Sequence, residues 1–119
     1  MTLAHARRLA LSLPETAERP HFEMTSFRVR DRIFATAPPD GSRLHVFVDE
    51  GEVRAAVAED PGRFQELWWG RRLAGLRVDL PAAEPERVYE LLVEAWRRRA
   101  PRRLVAAFDA DPARRVMPR

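Results

Sequence analysis

The side chains of this chain that could do chemistry are its arginines, three histidines, and a scatter of carboxylates and hydroxyls. Cysteine is absent, which removes disulfides, thiolate nucleophiles and Cys-ligated zinc or iron–sulfur sites, and is compatible with a reducing, cytoplasmic setting. His5, His21 and His45 stand far apart with no ligand spacing such as His-x-x-x-His, so each reads as structural rather than metal-binding. Ser26 and Ser42 lack a nucleophile-elbow or triad context, and the five glycines are scattered rather than gathered into a phosphate loop. Glu86, Glu90 and Glu94 fall on one helix face as a solvated stripe, with Glu94 and Arg98 spaced as an i, i+4 pair. The expectation is a protein that is not an enzyme, with no catalytic residue, no metal and no cofactor.

Arginine remains, and its total is a poor guide. The isoelectric point of about 10.8 suggests a strongly basic protein, yet the net charge is only +3. All 21 basic residues are arginine, so no lysine titrates in the alkaline range and a small excess holds the charge positive to very high pH. With abundant Ala, Arg and Pro, the missing lysine fits a GC-rich coding bias better than selection for phosphate contacts. Location says more: residues 1–96 carry 13 Arg against 16 acids, and residues 97–119 carry 8 Arg against 2.

Three groups could grip an anion. Arg28, Arg30 and Arg32 sit on a hairpin, and Trp69 with Arg71 and Arg72 would put a stacking ring beside cations. Arg97, Arg98, Arg99, Arg102 and Arg103 form the densest basic patch, part of which a helix C-terminus explains by its dipole alone. The plainer reading makes these the solvated faces of a strand, a turn and a helix. Two functions are compatible with them. One is DNA binding through phosphates with little base readout; the other is a protein- or small-ligand-interaction module using the open sheet face, with Phe34 and Trp69, or Phe47, as contacts. They separate on whether the hairpin and terminal-helix arginines share a face.

These residues must be positioned by a single domain, since 119 residues can bury a real core but not two. No stretch approaches the ~20 apolar residues of a membrane span, and the N-terminus has two arginines within its apolar pattern, unlike a signal peptide. Thr2 can cap a first helix that Pro14 ends, and Glu15–His21 reads as a connecting loop. "SFRVRDRIFA" reads as a hairpin with a three-residue turn, Arg30-Asp31-Arg32, placing Phe27, Val29, Ile33 and Ala35 on one face and Arg28 and Phe34 on the other. A turn in "PPDG" leads to a strand over 44–48; a helix over 51–59, strands over 64–68 and 73–80, and helices from Pro85 and over 102–108 follow. The fold class expected is α+β, a two-layer sandwich of about five mostly antiparallel strands with helices on one face, in the order α-β-β-β-α-β-β-α-α. It spans 1–108, with 109–119 as a flexible tail.

The run "SLPETAERPHFEMTSFRVRDRIFA", with "PPDG", "DPGRF" before a Trp-Gly segment, "LRVDL" and "LLVEAWRRRAPRRLVAAF", resembles the MmcQ/YjbR family of small bacterial proteins over about residues 7–108. The resemblance implies a frataxin-like α/β sandwich, described with a double-wing DNA-binding motif, and DNA as partner. Family members often have Gly-Lys at the hairpin turn where this chain has Asp31-Arg32. A frataxin-like fold also suggests iron held by acids on the first helix, but Thr2–Leu13 carries two arginines and no acid, so the oxygen ligands are missing.

Overall fold

Thr2 opens the first helix, its hydroxyl accepting the His5 amide at 3.1 Å to cap α1 (Leu3–Leu11), which buries Ala6, Leu9 and Ala10. The computed structural model describes residues 1–118. Four strands follow, β1 (Thr16–His21), β2 (Met24–Val29), β3 (Arg32–Ala37) and β4 (Arg43–Val46). Asp49 caps α2 (Glu50–Glu59) by accepting the Glu52 amide. β5 (Phe64–Trp69) and β6 (Arg72–Asp79) form a second hairpin, and after a 3-10 turn Pro85 opens α3 (Pro85–Arg99), with α4 (Arg102–Ala110) behind it.

The order β1-β2-β3-β4-β6-β5 makes one six-stranded sheet, antiparallel throughout. The α+β class and the element order follow the sequence expectation, with one strand more than the five expected. One face carries the core. α3 lies against β2, β3 and β4, α1 against α3 and β1, and α2 against β5 and β6. The α3 stripe Val88, Leu91, Leu92, Ala95 and Trp96 is fully buried there against Phe27, Val29, Leu44, Leu76 and Val78. The opposite face shows a polar row in register, with Ser26, Thr36, His45, Arg77 and Gln65 on successive strands.

The extra strand is β1, which corrects the loop expected over Glu15–His21. It pairs with β2 residue for residue, from Thr16↔Val29 to His21↔Met24. Its polar composition suits an edge strand, half of whose backbone faces water, and Pro20 is tolerated there because an edge does not need every amide.

The hairpin turn is also shorter than expected. Val29 pairs with Arg32, so the loop is the two residues Arg30 and Asp31, with φ of 49° and 65°. Two successive left-handed residues are what a type I′ hairpin requires to match strand twist. The sequence disguises it, because neither residue is glycine. Ion pairs flank the strained turn: Arg30 donates to both carboxylate oxygens of Glu15, at 2.6 and 3.2 Å, and Arg28 Nη1 lies 3.2 Å from Asp31 Oδ1.

A register shift then overturns the alternation. Phe27 pairs with Ala35 but Arg28 with Ile33, leaving Phe34 as the extra residue of a bulge. Phe34 and Ala35 are both fully buried, whereas Ile33 is only half-buried beside Arg28's side of the sheet. Phe34 is therefore a core residue and not an exposed contact. The tail expected over 109–119 begins within α4, continues as a 3-10 turn over Pro112–Arg115, and ends at Arg119, which lies outside the described residues.

A second shift, between Leu67↔Gly75 and Trp68↔Leu73, falls where the chain leaving β4 crosses β6. A Cβ on Gly75 would lie 2.5 Å from the Val46 carbonyl oxygen and 3.1 Å from Phe47 Cα, both backbone atoms that cannot swing away. Gly75→Ala is expected to lower stability by about 3 kcal/mol, as overpacking against rigid neighbours does; urea denaturation checks it, and a midpoint within error of the parent would show that β4 and β6 can part without cost.

Candidate anion-binding site on the open sheet face

Arginine sets the chemistry of this face. Arg28 on β2, Arg32 on β3, Arg72 on β6 and Arg99 at the end of α3 line one cavity of about 440 Å³. Among the described residues lining it, Asp31 is the only acid, and it is spent on Arg28. The floor is apolar: Phe47 and Ala74 are buried apart from the main core, with Ile33 and Met24 beside them. Trp69 forms a wall, 53% exposed, its ring 5.3 Å from Phe47 and with the Arg72 guanidinium carbon 5.7 Å from its centroid.

Each cation arrives by a different structural route. Arg28 is set by Ser26, whose buried hydroxyl accepts from Arg28 Nε at 2.9 Å and donates to the Arg19 carbonyl at 2.8 Å. Arg32 follows the two-residue turn and donates to the Arg99 carbonyl at 3.3 Å, across 67 residues of sequence. Arg72 closes the β5–β6 turn opposite Trp69. Arg99 comes from the last turn of α3, and its Nε is buried with no hydrogen-bond partner. Burial, then the charges of Arg98, Arg32 and Arg72, push the Arg99 guanidinium below its ordinary pKa.

The other candidates are not brought together. Arg30 faces Glu15, whose carboxyl it holds below the usual range. Arg97 is paired with Asp109, and Arg98 donates to the Phe47 carbonyl at 2.8 Å, pinning the end of α3 to the chain after β4. Arg71, Arg102 and Arg103 are exposed and outside the cavity. Of the hairpin and terminal-helix arginines, Arg28, Arg32 and Arg99 thus share the cavity.

Sequence reasoning missed several lining residues. Thr36 and His45, paired across β3 and β4, stand with Thr36 Oγ1 3.5 Å from His45 Nδ1, and His21 lines the cavity from β1. Between His21 and Met24, Phe22 is 91% exposed at φ 56°, a bulky residue in a left-handed turn with its ring edge-on to His21 at 4.8 Å. No spacing rule announces such a set, since the sheet rather than the sequence makes them neighbours. Among the described residues no group of three or more histidines and carboxylates could hold a metal ion, and no helix is long and apolar enough to cross a membrane.

Among known proteins, the model of the family described as YjbR matches residues 11–98. No curated protein and no solved structure matches the chain.

His45 supplies a check on the face itself. Burial, then the nearby Arg77 and Arg43 charges, lower its pKa from the ordinary 6.5, with Asp40 opposing weakly. A lowered folded-state pKa means the unfolded chain takes up the proton first, so this contribution to stability is present above pH 6.5 and lost as pH falls. His45→Gln should therefore flatten the drop in urea midpoint between pH 7 and pH 5 relative to the parent; parallel curves would mean that His45 titrates normally.

Proposed function

The chain belongs to the MmcQ/YjbR family, and on that premise we propose that it is a non-catalytic nucleic-acid-binding protein, holding phosphates of DNA in the arginine-lined cavity with little base readout. The observation that carries the reading is the convergence of Arg32, Arg72 and Arg99 on one concavity whose single acid is already paired. Arginine offers planar, multidentate donors suited to phosphate oxygens, and the exposed Trp69 beside them suits a base, whichever base it is. The small number of free cations limits the affinity. It also sets the salt dependence.

The test is fluorescence anisotropy with labelled oligonucleotides at 50 and 200 mM salt. Three phosphate contacts correspond to a loss of about 20- to 40-fold in affinity over that range. Arg99→Ala and Arg32→Ala should each weaken binding and make the salt dependence shallower by about one contact, whereas Arg30→Ala, which removes a partner of Glu15, should leave both unchanged. Binding absent at 50 mM salt, binding indifferent to salt, or an Arg30→Ala effect as large as that of Arg99→Ala would each reject the reading. The concave shape of the site favours one rival, a module for a small anionic molecule; that protein would ignore oligonucleotides and gain thermal stability from the small anion.

A further inference from the structure

Resting on the nucleic-acid reading, we propose that the cavity receives one unpaired nucleotide, its phosphate among Arg32, Arg72 and Arg99 and its base against Trp69, so that the protein binds single strands in preference to duplex.

Shape is the first argument. A duplex carries its phosphates on a convex surface, and the guanidiniums here line a concavity whose volume of about 440 Å³ falls in the range of small-ligand pockets, about 300–1,000 Å³. Arg99 lines that concavity from the last turn of α3, where a phosphate that enters can meet it. Chemistry is the second. The cavity is divided between an apolar part, where Phe47 is buried and the Trp69 ring half-exposed, and a cationic part. A nucleotide has the same division, a flat ring with apolar faces and an anion a few bonds away. Arg72 joins the two parts, since it lies over the Trp69 ring while lining the cationic side. In a duplex the base is stacked within the helix and cannot reach Trp69, so only an unpaired nucleotide satisfies both parts at once.

The experiment compares a labelled single-stranded oligonucleotide with a blunt duplex of the same sequence at 50 mM salt, using the intact protein and three tryptophan variants. The single strand is expected to bind at least tenfold more tightly. Trp69→Ala should cost the single strand five- to a hundredfold, as loss of one base–aromatic stack does, and bring it down toward the duplex. Trp69→Phe, which keeps a ring, should recover most of the affinity. Trp68→Ala should change nothing, because Trp68 neighbours Trp69 in β5 but lies outside the cavity and donates to Glu66. Duplex bound as well as single strand, or a single-strand preference that survives Trp69→Ala, overturns the inference while leaving phosphate binding intact. Failure of both oligonucleotides to bind overturns the nucleic-acid reading itself.

Discussion

The burial of Trp96 is the interaction on which the site depends. Its side chain is fully buried, its indole N–H donates to the Pro14 carbonyl at 3.0 Å, and its ring packs against Phe108 at 5.0 Å. A large ring with a satisfied polar edge fixes a helix in rotation as well as in depth, because turning the helix would strand both the ring and its donor. One turn further on, the end of α3 is held twice more, by Arg98 on the Phe47 carbonyl and by the Arg99 carbonyl receiving Arg32. Arg99 is thus delivered to the open face by core packing on the other. The cation at the cavity is a consequence of how α1, α3 and α4 meet.

That delivery runs against electrostatics. Guanidiniums crowded at one place repel, and burial weakens solvent's ability to screen them. Several arginines elsewhere are locally paired, Arg7 with Glu18, Arg30 with Glu15, Arg54 with Glu50 and Arg97 with Asp109. Exposed pairs of this kind contribute only about 0–1 kcal/mol each. Their larger effect is negative: they withdraw those arginines from any partner. The remaining cations at the cavity stand out because their neighbours are spent.

Much of the fold was legible in the residues. The α3 stripe, the proline at its first position, the Thr2 cap and the alternation of β6 are local signals, and local signals are what a sequence displays. β1 was not legible, because an edge strand needs no apolar alternation and Pro20 counts against one. Nor was the bulge at Phe34: alternation carried through the hairpin puts Phe34 opposite Phe27's face, and one extra residue reverses that. The type I′ turn was hidden by Arg30 and Asp31 standing where Asn-Gly or Gly-containing pairs are usual. Of the site, Arg28, Arg32, Arg72, Arg99 and Trp69 could be named but not gathered, since only the sheet order and the end of α3 bring them to one place. Thr36, His45 and His21 carried no signal at all beyond their identities.

The charge excess of the last 23 residues points the same way. As a sequence feature it suggests a basic surface patch, yet of its helical arginines Arg97 and Arg98 are tied to the protein, and Arg102 and Arg103 are exposed outside the cavity. Among these helical arginines, Arg99 alone lines the cavity. A guanidinium at a concave, partly buried position acts through a lower effective dielectric than one on a convex surface, where a Debye length of about 8 Å at physiological salt screens it. One converging arginine therefore outweighs several dispersed ones. For this chain the quantity that bears on function is the unpaired charge that shares a cavity, and the hairpin, the second hairpin and the end of α3 each contribute to it.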